Sequence, residues 1–471
     1  MTIRRMPRLA ATAAAALLLA GCAAPNMQAA LKEANDFASP IAGGAQAELR
    51  RDDSQRDEAA RLSADLLSKP LTMDGAAQLA MSNSPAFQAA LAQSWGELAQ
   101  AHQRGLPGGV LFSFERLREG ADLQIGRLLS FGLFDLITLP QRQAVSRLEG
   151  EQGRVRMAGT IVDQVSAARR AWVMAVAARE IEIYATQVRD AADASAELAR
   201  RMQSVGNFTK LQSARQHLFY ADATSRLASA RQAAVSTREE LVRQLGLADA
   251  QAASLKLPDR LPDLPKSLPA LANVEQQAMD SRLDLQVTKL QTEALAKNLG
   301  LTRSTRLINV LELGVINNGS NTEPHQRGYE ITFELPLFDW GQSRVVAAES
   351  RYRQALERAR ETAVNARSEV REAYAMQQGQ YAIAKHLRDE VVPLKKRISE
   401  ENVLRYNGML IGVFELLADA RSQIASVNAA IEAQRDYWLA ESDLQMALVG
   451  TPGMMAAPSA SSASAEAAGG H

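Results

Sequence analysis

Cysteine is almost absent from this 471-residue chain: Cys22 is its only thiol, so no disulfide can form within one copy. An excess of either charge is missing as well. Lys plus Arg number 53 and Asp plus Glu number 53, so the formal net charge is zero. Such a balance supplies no basic field for phosphates and excludes nucleic acid as an expected partner. Aromatic residues make up 5% of the chain against 46% for all hydrophobic types, with alanine dominant among them. That composition favours packed, extended helices over an aromatic-rich core. Beyond the leader no charge-free apolar run reaches about 18 residues, so no helix is expected to cross a bilayer, and any entry into lipid has to be made by strands.

The marks of an enzyme are lacking too. His102, His217, His325, His386 and His471 are scattered, and no Gly-rich phosphate loop followed by Lys and Ser or Thr occurs. Acidic pairs such as Asp52-Asp53 and Glu400-Glu401 have the character of solvated helix faces. No catalytic residue, metal ligand or cofactor is therefore expected.

What is present begins with a leader. Arg4, Arg5 and Arg8 precede an apolar run from Leu9 to Ala20, too short to span a bilayer as a helix, so residues 1–21 are expected to be an export signal. The stretch Leu19-Ala20-Gly21-Cys22 resembles the lipobox of bacterial lipoproteins. That resemblance implies cleavage before Cys22 and its acylation, each buried methylene adding about 0.8 kcal/mol of membrane affinity. Ala23 after the cysteine implies passage to the outer membrane. Residues 22–70, with Pro25, Pro40 and Gly43-Gly44 as breakers, are expected to form a loosely packed lead-in.

The rest divides into two halves, 71–247 and 271–451, joined by a connector over 248–270. Pro258, Pro262, Pro265 and Pro269 hold that connector extended. Residues 452–471 have the small-residue composition of a disordered tail. Leu133, Phe134 and Asp135 correspond to Leu337, Phe338 and Asp339, and Leu245-Gly246 to Val449-Gly450, at one offset of 204 positions. A repeated interval of this kind predicts an internal duplication.

Periodicity gives the elements of each half. Val155, Ala158, Val162, Val165, Trp172 and Val176 recur at threes and fours, predicting a long helix over 141–205, and 342–406 is its counterpart with Pro393 as an expected kink. Each stretch of about 65 residues is expected to reach on the order of 95 Å, matched by two shorter helices laid end to end. Apolar stripes of that length need neighbouring helices, as in a coiled-coil-like barrel. Between short and long helices, β-hairpins are expected at about 109–139 and about 307–340. In the second, Ile331 and Phe333 share one strand face while Thr332 and Glu334 take the other, and Leu311 and Leu313 alternate with Glu312. In the first, Val110, Phe112 and Phe114 oppose Leu111, Ser113 and Glu115. Such dyads suit a wall with lipid outside and water within, with two soluble antiparallel hairpins as the lesser alternative by pattern alone. Glu115, Glu312 and Glu334 are the candidate lumen-facing residues. Four strands cannot close a barrel, so a barrel reading requires several chains.

Several stretches together resemble the TolC-type outer membrane factors of efflux and type I secretion systems, over essentially all of 71–451. They are "LTMDGAAQLAMSNSPAF", the passage "ITFELPLFDWGQSRVVAAESRYRQA", the glycines Gly206 and Gly408 within the helical stretches, and "LADARSQIASVNAAI". The resemblance implies a mainly α fold with a small β part: a long helical barrel, and four transmembrane strands per chain completing a twelve-stranded barrel in a homotrimer. It also implies a Gram-negative outer membrane location and a periplasmic adaptor protein that touches the helix-turn-helix tips, here Gly206, Phe208, Gly408 and Leu410. An inner-membrane pump is implied indirectly, and the exported substrate, whether drug, metal ion such as copper or polypeptide, is left to that pump. The alternative from another class is a lipid-anchored periplasmic adaptor or scaffold that never forms a pore.

Overall fold

Alanines at every fourth position, Ala30, Ala34, Ala38 and Ala42, are all buried. A stripe of methyl groups at helical spacing lets a backbone lie close to its neighbours, and the segment folds as helix α1 (Met27–Ala42). The described part of the region expected to be a loose lead-in, from residue 26 on, is therefore ordered and packed. Glu33 meets Arg154 at 2.7 Å, and the Asn35 amide exchanges two hydrogen bonds with the backbone of Ala47 (2.9 and 3.0 Å). Pro40 falls in the last turn and Gly43-Gly44, both at positive φ, end the helix instead of breaking it. The computed structural model describes residues 26–269, 273–307, 310–334 and 340–450, so the export signal, Cys22 and the tail lie outside the described residues.

Capping chemistry starts the next helices. The Asp52 carboxylate accepts from Gln55 N–H at the head of α2 (Asp53–Ser68), and the Thr72 hydroxyl from Gly75 N–H at the head of α3 (Met73–Asn83). One extended residue, Ser84, separates α3 from α4 (Pro85–Arg104). Strands β1 (Val110–Glu119) and β2 (Asp122–Gly132) follow, then α5 (Leu133–Ser204), α6 (Lys210–Leu245) and the short α7 (Asp249–Ser254). The second half has the same order: α8 (Val274–Ser281), one extended residue at Arg282, α9 (Leu283–Ser304), β3 (Leu311–Ser320), β4 (Gln326–Phe333), α10 (Gln342–His386), a π turn (Leu387–Val391), α11 (Val392–Asn407) and α12 (Val413–Val449). No helix among the described residues is long and apolar enough to cross a membrane.

Two helix boundaries differ from expectation. Helix α5 starts at Leu133, not near 141, with Pro140 inside it. A proline in the second turn of a helix forfeits one backbone hydrogen bond. Local bonds offset that loss, with Thr138 Oγ1 donating to Phe134 O at 2.9 Å and Arg142 to Asp135 at 3.0 Å. The second long helical run is continuous past 386 but widens into the π turn just before Pro393. Val392 N–H bonds back five residues to Leu387 O, which accommodates the carbonyl that the proline ring would otherwise meet.

The described residues form two compact units: those up to Ala34 with Ala92–Met157 and Asp284–Ala363, and Asn35–Leu91 with Ala158–Leu283 and the described residues from Val364 on. The first holds the four-stranded sheet. The second is built on a core of Leu71, Leu79, Trp172, Val176, Leu241, Leu245 and Leu261, with Trp172 Nε1–H donating to Leu71 O at 2.8 Å. Of the connector expected to be extended over 248–270, Asp249–Ser254 is instead the helix α7, while the proline-rich residues 255–269 are extended and packed down: Leu255, Leu261 and Leu264 are buried. Trp438 Nε1–H and Gln434 donate to Pro262 O (3.0 and 2.6 Å), and the Tyr381 hydroxyl donates to Pro265 O at 2.9 Å. Burial raises the pKa of Glu180, which accepts the Leu261 N–H at 3.1 Å, against the lowering effects of that bond and of Arg260.

Candidate functional site

The sheet runs in the order β1-β2-β3-β4, antiparallel throughout, and among the described residues the outer edges of β1 and β4 are unpaired. Register sorts its side chains, because residues paired across strands project from the same face. Val110 pairs with Phe131 and Phe131 with Leu313, which pairs with Ile331; Phe112, Leu129, Val315 and Tyr329 form the next rung. With Phe114, Ile125, Leu311 and Phe333 these make one apolar face, and many of its members, from Phe112 (61% exposed) to Tyr329 (76%), are open to the surroundings.

The opposite face is polar, small and acidic. It carries Glu115, Glu119, Asp122, Glu312 and Glu330 with Ser113, Ser130, Gln124, Asn318 and Thr332, and includes no lysine or arginine, though Leu111, Leu117, Leu128 and Ile316 also lie on it. Gly126, Gly132, Gly314 and Gly328 all fall on this face. A Cβ on Gly314 would come within 2.8 Å of Leu128. Missing side chains on one side ease curling toward that side, so the acidic face is the one expected to be concave. The structure places Glu115 and Glu312 on it, and Glu334, whose N–H bonds to Val310 O at 3.3 Å, continues its alternation just past β4. The three occupy one face at different levels, Glu115 toward the hairpin turns and Glu312 and Glu334 toward the helices. Glu119, Asp122 and Glu330, not singled out from sequence, join them once strand phase is known.

At the turn end the two hairpins are pinned together. Asn321 accepts from Leu123 N–H (2.7 Å) and donates to Ala121 O (2.8 Å), while Thr322 and Ser320 hydroxyls donate to Asp122 (2.7 and 3.1 Å). At the other end the strand-to-helix corner explains its Leu-Phe-Asp wording. Strand β2 ends at Gly132 and the Asp135 carboxylate tucks against Gly108 and Gly132, where added Cβ atoms would approach it to 2.5 and 2.9 Å. Arg142 bonds Asp135 and donates to Arg104 O at 3.0 Å, and Arg344 donates to Arg306 O at 2.8 Å, the same bond 202 positions later. The second Leu-Phe-Asp, at 337–339, lies outside the described residues.

The two tips close differently from the sequence pairing of Gly206 with Gly408. Gly206 is left-handed (φ 81°), and Asn207 N–H reaches back to Met202 O at 2.8 Å. In the other tip the left-handed residue is Met409 (φ 57°), with Leu410 N–H bonded to Arg405 O at 2.8 Å, while Gly408 has φ −81°. Gly206 therefore corresponds to Met409 in backbone role, and Asn207 to Leu410. A methionine gives no sequence signal for this conformation, which normally selects glycine or asparagine. Phe208 is half-buried beside the capping box that starts α6, whereas Val205 (70%), Leu211 (60%), Met409 (93%) and Leu410 (77%) are exposed. Just before the first tip, hydrogen bonds from Arg201 and Arg200 hold the exposed Glu197 carboxyl below its usual pKa.

No group of three or more His, Cys, Asp or Glu side chains that would hold a metal occurs among the described residues.

No protein-family model matches the sequence, and no curated protein matches it. Solved structures do match. The CmeC outer membrane channel of Campylobacter jejuni is 15% identical over 80% of this chain and 85% of its own, with a TM-score of 0.69. The outer membrane protein VceC of Vibrio cholerae is 15% identical over 80% and 96%, with a TM-score of 0.68. A membrane protein from Pseudomonas aeruginosa is 19% identical over 80% and 93%, also at 0.68. The helical runs, the four-stranded antiparallel sheet and these matches along four fifths of the sequence agree: the chain has the fold of the TolC-type outer membrane channels.

Proposed function

We propose that the protein is the outer membrane channel of a tripartite efflux or type I secretion system, a passive homotrimeric conduit anchored through acylated Cys22. The observation that carries this reading is the open, two-faced sheet, largely apolar on one side and acidic on the other. Unpaired strand edges cannot rest in hydrocarbon, and four strands cannot close on themselves, so sister copies must supply the missing neighbours. Three copies give the twelve strands of the TolC-type barrel, with the helices forming the periplasmic tunnel. The repeated element order, the one-residue breaks at Ser84 and Arg282 and the paired arginine bonds at Arg142 and Arg344 support an ancient duplication as the origin of the two halves.

The tips are the proposed adaptor contacts, at Gly206, Phe208, Gly408 and Leu410, with Met409 added. Holding a bulky residue left-handed costs roughly 1–2 kcal/mol, and an almost fully exposed Met409 recovers nothing from its own chain. A partner's apolar surface offers that recovery. An inner-membrane pump would drive transport through the adaptor. Channel function is tested by single-channel recording of the purified chain in planar bilayers: stable conductance from an oligomer is expected, and a lone subunit that never conducts would establish the pore-less adaptor or scaffold instead. Glutamates at positions 409 and 410 (Met409→Glu with Leu410→Glu) are expected to leave that conductance unchanged while cross-linking to the adaptor drops at least tenfold; undiminished cross-linking would remove the tip assignment.

A further inference from the structure

The convex face of the sheet is not apolar throughout. Arg116, Arg118, Arg127 and Arg327 project from it, on the same side as Phe112, Leu129 and Ile331. Every one lies toward the hairpin-turn end. Arg127 pairs with Phe114 and Arg327 with Asn317, while Arg116 and Arg118 sit closer still to the turn. All four are exposed. Among the described residues only the Arg118 side chain has a hydrogen bond, to Gly120 O at 3.3 Å, and no carboxylate pairs with any of the four. No acidic residue lies on this face of the strands, because every strand carboxylate is on the concave side. The segregation of sign is complete within the sheet: arginines out, carboxylates in.

Along β4 the apolar rungs run from Phe333 to Tyr329 and end at Arg327, about 20 Å of strand at 3.4 Å per residue. Guanidinium groups are strongly disfavoured at mid-bilayer and tolerated at its interfaces. A row of four ending an apolar band therefore marks head-group level, at the end of the barrel remote from the helices. All four positions are arginine, with no lysine among them. Its planar fork matches phosphate oxygens two at a time, which an ammonium cannot do.

We propose that Arg116, Arg118, Arg127 and Arg327 form a guanidinium band that binds the phosphate groups of outer-leaflet lipid head groups, and so fixes the depth of the channel in the membrane. This inference rests on the channel reading, because it requires the convex face to meet lipid. The test reconstitutes the full chain in vesicles of phosphatidylcholine alone or doped with phosphatidic acid, a lipid carrying a phosphate monoester. Retained lipid is counted by native mass spectrometry and conductance is recorded in parallel. The unmodified chain is expected to hold phosphatidic acid several-fold above its bulk fraction. With Arg116, Arg118, Arg127 and Arg327 all changed to glutamine, enrichment is expected to fall to about one while unitary conductance stays the same. The four-lysine variant, which keeps the charge and loses the fork, is expected to fall between and guards against a glutamine variant that fails to insert. A conducting channel with no enrichment, or with equal enrichment in the glutamine variant, overturns the band and leaves the channel standing. Enrichment abolished by millimolar inorganic phosphate also overturns it, since the site would then prefer the free ion to the lipid. A chain that neither inserts nor conducts in any vesicle overturns the channel reading and this inference together.

Discussion

Removing the carboxylate of Glu369, as Glu369→Ala, is expected to cost the fold about 3 kcal/mol, which is the low end of the range for taking one partner from a buried ion pair. Arg282 is the residue that loses this partner. It is the single extended residue between α8 and α9, its side chain is 1% exposed, and its Nη2 donates to Glu369 at 2.8 Å while Nη1 donates to Ala447 O at 3.1 Å. Around it lie Ala278, Val370, Ala373, Leu444 and Ala447, an apolar cluster that solvates a guanidinium poorly. Glu369 itself is 29% exposed, so part of its own desolvation is already spared, and this keeps the figure low in the range. The measurement is the thermal midpoint of the purified chain in detergent at one fixed scan rate. Two further variants separate the causes. Arg282→Met alone is expected to cost less than Glu369→Ala, because methionine fills the volume and buries no charge. Arg282→Met combined with Glu369→Ala is expected to be milder than Glu369→Ala alone. A double variant as damaged as the sum of the singles would show that the ion pair is uncoupled and that packing alone sets the cost.

The sequence shows this joint only faintly. Ser84 is followed by Pro85, so the first one-residue break carries a signal, since proline excludes the helical conformation from the residue before it. Arg282 has no proline after it and reads as an ordinary helix residue. Tertiary partners such as Glu369 and Ala447, 87 and 165 positions away, favour the extended conformation. The same reasoning separates the rest of what was legible from what was not. Strand phase in the second hairpin follows from Ile331 and Phe333 against Thr332 and Glu334, because a period of two is a property of the strand itself. The long helices follow from Val155 to Val176 for the parallel reason. The start of α5 at Leu133 does not, because Pro140 reads as a stop until the Asp135–Arg142 bond is seen. Helix α1 was hidden by Pro40 and the glycine pair, which are breakers in composition but sit at its end in space. Met409 was hidden because nothing local marks a methionine for positive φ. Fold class is thus written in periodicity, while the joints are written in contacts between residues far apart in sequence.

Neutralising the concave face of the sheet is expected to abolish cation preference in the conducting channel. The six carboxylates are Glu115, Glu119, Asp122, Glu312, Glu330 and Glu334, and their replacement by Gln and Asn keeps volume and hydrogen-bonding capacity while removing all formal charge from that face. With no basic side chain on the face to oppose them, these groups would repeat in every copy of the proposed barrel as stacked acidic rings, which raise the local cation concentration and repel anions. In 0.15 M salt the screening length is about 8 Å, shorter than the roughly 20 Å separating Glu115 from Glu312 along the strands, so the two levels act nearly independently. The reversal potential under a potassium chloride gradient is therefore expected to be several-fold cation-selective for the unmodified channel and near zero millivolts for the six-residue variant. Variants of Glu115, Glu119 and Asp122 alone, or of Glu312, Glu330 and Glu334 alone, are expected to lose part of the preference each. Repeating the measurement at about 1 M salt, where the screening length shrinks to about 3 Å, is expected to weaken the preference of the unmodified channel. Unchanged selectivity in the six-residue variant would move the field-determining charges away from the sheet and onto the helices.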